Sequence, residues 1–417
     1  MLERASQLLR KRQRDIVDLV IDETGGTVGW GMFNVQLAAG MLAYYAGETG
    51  APTAEQEIPS HIPGKRAKVV RQPVGVVVGI APWNAPVILG VCAVAAPLAY
   101  GNTVVLKASE LCPRTHAAII DVLRDAGVPS GAVNLVTNRP EDAAEVVDEL
   151  IRLPAVRRIS FTGSTPVGRI VAETAARHLK RVLLELGGNS PLVVLADADL
   201  ERAVAAANFG SFMHQGQICM STERIVIDRS VADEFARRLA ERAGSLKVGD
   251  PREPETQIGR MVNEGAVNRV REHVEDALAQ GARLVTGGTA QGLYFRPTVL
   301  TGVTAEMRIY SEESFGPVVA IVPVEGIDEA VRIANDTEYG LSSAVFSENV
   351  DTAIDIARRL ETGICHINDA TVNDEPQMPF GGVKHSGWGR FGGQAALEEF
   401  TELRWITIQD SPRDYPI

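Results

Sequence analysis

The sequence predicts an α/β protein: a doubly wound parallel sheet followed by a second α/β domain. From Val74 to about Val194 short apolar, β-branched runs alternate with helical stretches, as in a parallel sheet covered on both faces. A second alternation of the same kind runs from Pro191 to about Leu360. With 417 residues, 45% hydrophobic and 23% charged, the chain has ordinary globular composition and length for two or three domains.

Taken in order, residues 2–23 carry Leu2, Ala5, Leu9, Ile16, Leu19 and Val20 among charges and stop at Glu23-Thr24-Gly25-Gly26, which predicts one amphipathic helix. Ala51 to Gln72 is polar, with basic residues on both sides of Pro63-Gly64, and predicts an exposed two-stranded arm. Strands are predicted at Val74–Ala81, Thr103–Lys107, Val133–Val136, Arg158–Phe161 and Val182–Glu185, with helices at 85–100, 113–126, 140–150 and 165–179. The second set has strands at Leu192–Leu195, Arg224–Asp228, Leu284–Gly287 and Val318–Pro323, and helices at 199–214, 230–245 and 263–280. Gln72 to Leu106 lacks any charged side chain, yet Pro82, Pro86, Pro97 and Gly101-Asn102 divide it into pieces too short to span a bilayer. A buried strand, helix and strand are expected there.

A net charge of −12 argues against a nucleic-acid partner or an anionic membrane surface and leaves room for a local basic pocket. Cys92, Cys112, Cys219 and Cys365 are too sparse for a disulfide framework or a zinc site, and charges run through the first twenty residues. A cytoplasmic protein is the expectation. The seven histidines show no ligand spacing, so no metal is expected. Phosphate-loop and Gly-x-Ser-x-Gly motifs are missing, which removes the main support for NTPase, kinase and α/β-hydrolase chemistry.

Candidate chemistry sits where strands end. In Phe161-Thr162-Gly163-Ser164-Thr165-Pro166-Val167-Gly168, Gly163 allows close approach of a ligand, and Ser164 or Thr165 is placed to cap the helix that Pro166 starts. The helix N-terminus suits a phosphate; an ordinary strand-to-helix turn is the alternative. Asn84, in Ala81-Pro82-Trp83-Asn84-Ala85-Pro86, is either a helix cap or an oxyanion donor. Lys107 and Glu110 follow a parallel strand, where open sheets bind ribose; a solvated loop pair is the alternative. Glu185 closes the apolar run Leu183-Leu184, and desolvation there raises a carboxyl toward general-base range. Thirty-four positions later Cys219, in Gln215-Gly216-Gln217-Ile218-Cys219-Met220-Ser221-Thr222, is a candidate nucleophile. The other three cysteines read as small buried residues.

The four segments of Asn84, Lys107 with Glu110, Glu185 and Cys219, in this order, resemble the aldehyde dehydrogenase superfamily. The Glu-Leu-Gly-Gly and Gly-Gln-x-Cys segments carry the resemblance, supported by Phe295-Arg296-Pro297-Thr298, Glu312-Glu313-Ser314-Phe315-Gly316-Pro317 and Pro379-Phe380-Gly381-Gly382-Val383-Lys384, and it runs from about residue 2 to 410. It implies an aldehyde dehydrogenase-like fold: a Rossmann-type NAD-binding domain (1–50 and 74–187), a catalytic domain (188–400) and a β oligomerisation arm (51–73 and 401–417). It implies that Cys219 attacks the aldehyde and that the Asn84 amide and the Cys219 N–H hold the oxyanion. Glu185 then activates water against the thioester and helps deprotonate Cys219, which argues against the CoA-acylating branch.

For the cofactor the resemblance implies Ile80, Pro82, Trp83, Lys107, Glu110, Gly163, Ser164, Gly168, Leu186, Gly187, Glu313 and Phe315. Glu110 would repel a 2′-phosphate, so NAD is expected, with NADP as the alternative. Gly363-Ile364-Cys365-His366-Ile367-Asn368 and Gln377-Met378-Pro379-Phe380 look most like the benzaldehyde, salicylaldehyde and vanillin branch. Met213, Ile218 and Phe380, with Trp83, are then the expected walls of an apolar slot for an aromatic aldehyde. An aliphatic or semialdehyde dehydrogenase, a thiol esterase on the same Cys219 and Glu185, and a truncated, inactive nucleotide-binding oligomer are the competing readings. The resemblance further implies a homodimer or homotetramer built through the arm. The sequence departs from it at Ala93 and Phe391, where many members carry a basic residue and a glutamate. Members typically have roughly 490 residues, so about 60 to 70 residues, a strand pair and a helix, are expected ahead of this chain's first helix.

Overall fold

The computed structural model describes residues 1–51 and 55–417. Its framework is two mostly parallel sheets joined by the short crossing from Glu185 to Ser190. In the first, the strands lie in the order Gly387–Trp388, Arg181–Glu185, Val156–Thr162, Val76–Ile80, Thr103–Lys107 and Val133–Val136. Only the outermost Gly387–Trp388 pairing is antiparallel. The chain winds outward from Val76–Ile80 to Val133–Val136, then returns to the other side of Val76–Ile80 with Val156–Thr162. The winding therefore reverses between these two strands, and the crevice at their carboxyl ends is where such sheets bind ligands. Val77, Val78, Val104, Leu106 and Ile159 have no exposed surface, because helices cover both faces, and this explains the uncharged run from Gln72 to Leu106.

The second sheet has the order Arg283–Thr286, Thr298–Thr301, Val318–Val324, Thr222–Asp228, Ser190–Val194, Ser342–Phe346 and Ile364–Ile367, with only the first pair antiparallel. Three of these strands, Thr298–Thr301, Ser342–Phe346 and Ile364–Ile367, are absent from the sequence reading. A third, antiparallel sheet pairs Glu55–Pro59 with Lys65–Pro73 and Lys65–Pro73 with the edge strand Thr401–Gln409. Residues 52–54 of the expected arm lie outside the described residues.

The expected single helix at 2–23 is two, Leu2–Lys11 and Gln13–Thr24, because Arg12 leaves helical geometry at φ −93° and ψ 14°. Gly25, at φ 75°, ends the second helix in the left-handed conformation glycine favours. After it comes a helix the sequence reading does not contain, Val28–Glu48, started by the Thr27 side chain accepting from the Trp30 N–H. It packs between the first helix and Pro86–Ala99 and carries Trp30, Phe33, Met41 and Tyr45 to the site described next. Among the described residues no helix is long and apolar enough to cross a membrane.

Candidate active site

The carboxyl ends of the first sheet face the amino end of one strand of the second. Glu185 ends Arg181–Glu185, and Cys219 sits three residues before Thr222–Asp228. The loop that delivers Cys219 is strained. His214, Gln215 and Gly216 take φ values of 49°, 57° and 68° in succession, a left-handed run that costs about 1–3 kcal/mol at each non-glycine residue. Neighbours hold it in place. The His214 ring stacks on Trp30 at 4.6 Å. Gln215 donates to the Arg260 carbonyl at 2.9 Å and accepts from the Gly259 N–H at 3.0 Å, and Gln217 accepts from the Val262 N–H at 3.1 Å. Gly216 is obligatory, since a Cβ there would run into the Gly316 carbonyl.

Asn84 is not the helix cap; the residue before Pro86–Ala99 is Ala85, which makes no side-chain cap. Instead the buried Asn84 amide donates to the Gln217 carbonyl at 3.0 Å, and its backbone carbonyl accepts from the Trp30 indole at 3.0 Å. An amide nitrogen has two protons, so one remains beside Cys219 for a developing oxyanion. Glu185 is 3% exposed and neither carboxylate oxygen has a hydrogen-bond partner. Burial pushes its carboxyl well up, Arg390 opposes this and Asp374 adds to it. Burial also pushes the Cys219 thiol up, with Glu185 and Glu313 adding to the effect while its own backbone N–H favours the thiolate. The thiol therefore needs a base.

Two cavities meet at this point. Asn84, Leu89, Thr162 and Cys219 line both. The larger, of about 810 Å³, lies at the winding reversal of the first sheet. Of the expected cofactor residues, Ile80, Pro82, Trp83, Lys107, Glu110, Gly163, Ser164, Leu186, Gly187, Glu313 and Phe315 all line it. Lys107 is ion-paired with Glu110, which also accepts from Asn138 at 2.9 Å. Burial would raise Glu110, but these bonds hold its carboxyl below the usual range.

Neither expected hydroxyl caps the helix Thr165–Arg177. Ser164 makes no cap bond and Thr165 donates to the His385 carbonyl at 3.1 Å, so the first turn keeps N–H groups for an anion. Gly168 stands outside the cavity lining; a Cβ there would strike Leu186, so this glycine serves close packing instead of contact with a diphosphate. Glu313 accepts from the Gly188 N–H at 2.8 Å, and burial pushes its carboxyl up to about 7. Phe315 meets Trp83 edge-on at 5.8 Å.

The smaller cavity is an apolar slot. Ile218 and Phe380 line it as expected, whereas Met213 is not among its lining residues: it follows the helix Leu200–Phe212 and, partly buried, packs against the same apolar cluster as Cys219 and Phe380. Trp83 belongs to the larger cavity. The aromatic walls that sequence reasoning missed are Trp30, Phe33, Tyr45 and Phe391, and Cys92 joins them. Glu223 was also missed. It is buried beside the Cys219 loop and accepts from the Ser314 N–H and hydroxyl and the Phe315 N–H at 2.8 to 3.1 Å, tying the loop of Glu313 and Phe315 to the strand that follows Cys219. Glutamate directly before Arg224 in a buried strand was the available signal. Among the described residues no group of three or more His, Cys, Asp or Glu side chains is placed to hold a metal ion.

Residues 1–406 match the model of the aldehyde dehydrogenase family. The chain belongs to that family. It is 55% identical over 416 residues to a vanillin dehydrogenase of Pseudomonas fluorescens, covering all of this chain and 86% of that one. It is 41% identical over 418 residues to a benzaldehyde dehydrogenase [NAD(+)] of Pseudomonas putida, covering all of this chain and 85% of the relative. The crystal structure of a salicylaldehyde dehydrogenase from Pseudomonas putida G7 complexed with salicylaldehyde superposes with a TM-score of 0.98 at 44% identity, covering all of this chain and 86% of that one. This aldehyde dehydrogenase is thus an oxidoreductase acting on aldehydes with a nicotinamide cofactor.

Proposed function

We propose that this aldehyde dehydrogenase oxidises aromatic aldehydes to carboxylates with NAD, using Cys219 as nucleophile, Asn84 as oxyanion donor and Glu185 as base. The observation that carries the reading is that Cys219 and Asn84 lie where a dinucleotide-sized cavity opens into a slot walled by aromatic side chains. Trp30, Phe33, Phe380 and Phe391 suit a flat ring, and the named activities of the relatives agree. NAD fits the larger cavity. The uncapped helix N-terminus at Ser164 suits its diphosphate, Val167 and Ile170 offer apolar surface for a base, and the ionised Glu110 accepts from ribose hydroxyls and repels a 2′-phosphate.

The chain's own part follows. Cys219, deprotonated with help from Glu185, adds to the carbonyl, and the oxyanion takes hydrogen bonds from the Asn84 amide and the Cys219 N–H. When bound, the nicotinamide accepts the hydride. The thioester left on Cys219 is opened by water whose proton goes to the Glu185 carboxylate. The two sheets support a division into a cofactor domain (1–50 and 74–187) and a catalytic domain (188–400). The exposed Leu403, Trp405 and Ile408 on the edge strand Thr401–Gln409 support a homodimer or homotetramer, and four unpaired cysteines suit a cytoplasmic setting. The test is NADH formation from benzaldehyde, salicylaldehyde, vanillin and a short aliphatic aldehyde with wild type and Cys219→Ala. Aromatic turnover that vanishes in the variant supports the reading, and turnover of the aliphatic aldehyde alone refutes it.

A further inference from the structure

The slot runs between two ends. Its inner end shares Asn84, Thr162 and Cys219 with the cofactor cavity; its outer end shares Asn373, Asp374, Glu375, Met378 and Phe380 with a vestibule of about 300 Å³. A ring whose aldehyde carbon sits at Cys219 therefore directs its para position toward the second group. Between the ends the walls are apolar, and the outer end is acidic. No lysine or arginine lines the slot or the vestibule among the described residues. Asp374 is half-buried there, and among the described residues its carboxylate is met only by the N–H of Glu375. The one basic ring in the vestibule, His366, is kept neutral by burial and has an Nε2 with no partner. A carboxylate half-removed from water with no cation and one donor retains unused acceptor capacity aimed into the passage.

We propose that Asp374 is a specificity-determining residue that accepts a hydrogen bond from a hydroxyl on the far side of the substrate ring. The inference rests on the aromatic reading above and deepens it: the preferred substrates are para-hydroxylated aromatic aldehydes. It assigns a second property to the same end, since Asp374 and Glu375 together repel a substituent carrying negative charge. Burial pushes the Asp374 carboxyl up to about 7, so as pH rises through that value the group gains acceptor strength and repels anions more strongly.

The experiment compares kcat/KM for 4-hydroxybenzaldehyde, benzaldehyde and 4-carboxybenzaldehyde in wild type, Asp374→Ala and Asp374→Asn at pH 7, where Asp374 is partly ionised and the phenol of the first substrate still carries its proton. The ratio of the first substrate to the second is expected at about ten or more in wild type, the worth of a charge-assisted hydrogen bond. It falls to about one in Asp374→Ala and lies between in Asp374→Asn, while 4-carboxybenzaldehyde gains on benzaldehyde in both variants. General damage to the fold scales all three substrates together and leaves the ratios unmoved; Asp374→Asn, equal in shape, carries the test where the alanine variant is unstable. Benzaldehyde turnover with a wild-type ratio near one, or a ratio unchanged in the variants, overturns the role of Asp374 and leaves the aromatic reading standing. Absence of turnover for both uncharged aromatic aldehydes, with aliphatic turnover present, overturns both.

Discussion

Replacing Glu185 by glutamine separates the two halves of the proposed reaction. The amide has the same shape and, since neither Glu185 oxygen has a hydrogen-bond partner, the substitution breaks no hydrogen bond. What it removes is the base. Loss of a positioned general base lowers thioester hydrolysis by about 100- to 10,000-fold, whereas attack by Cys219 and hydride release precede that step. Stopped-flow absorbance at the NADH band should show a burst approaching one NADH per active site, then turnover reduced by that factor. The burst itself is slower than in wild type at neutral pH, because the elevated Cys219 thiol has lost its proton acceptor, and recovers as pH rises.

Stability moves the other way. Burial raises the Glu185 carboxyl, so the folded state binds its proton more tightly than the unfolded state does. That contribution is fully present below the ordinary carboxylate range and is lost as pH climbs through the raised value. An uncharged amide at this position carries no such loss, so the variant should be more stable than wild type at neutral pH, with the gap closing in acid. Wild-type steady-state turnover in Glu185→Gln, or no burst in a variant that binds NAD normally, refutes the assignment of Glu185.

Asn84→Ala should lower kcat by about 100- to 1,000-fold with a smaller change in KM, measured by steady-state NADH formation, since the amide is used chiefly once the oxyanion develops. Gly216→Ala should destabilise the fold by about 2 kcal/mol or more in chemical denaturation, because φ 68° and the Gly316 carbonyl both oppose a side chain there. Glu223→Ala leaves three donors of Ser314 and Phe315 unpaired; it should cost about 2–3 kcal/mol and raise the KM for NAD more than that for aldehyde.

Reading the sequence located the parts whose chemistry is written in residue type and position. A carboxylate ending an apolar strand, a cysteine after a helix in a glycine-containing turn, and Lys107 and Glu110 after a parallel strand all fall around one pair of cavities. The slot walls were harder to see. The helix Val28–Glu48 is apolar and interrupted by Gly29, Gly31, Gly40 and Gly47, so it presents no amphipathic stripe, yet it supplies Trp30, Phe33, Met41 and Tyr45. Met213 misleads for a different reason: it is six residues from Cys219 and packs against the same apolar cluster, yet it does not line the slot. Glu223 and Asp374 look like ordinary charges in sequence, and only the fold places one under the loop of Glu313 and Phe315 and the other at the outer end of the slot.

The central claim is that the acyl group passes through Cys219 and leaves by way of Glu185. Intact-protein and peptide mass spectrometry of Glu185→Gln quenched in acid after incubation with NAD and benzaldehyde tests it directly. A benzoyl adduct is expected on the peptide containing Cys219, dependent on NAD and absent in a Cys219→Ala, Glu185→Gln double variant. Unmodified protein after a full burst of NADH, or an adduct on Cys92 in place of Cys219, contradicts it.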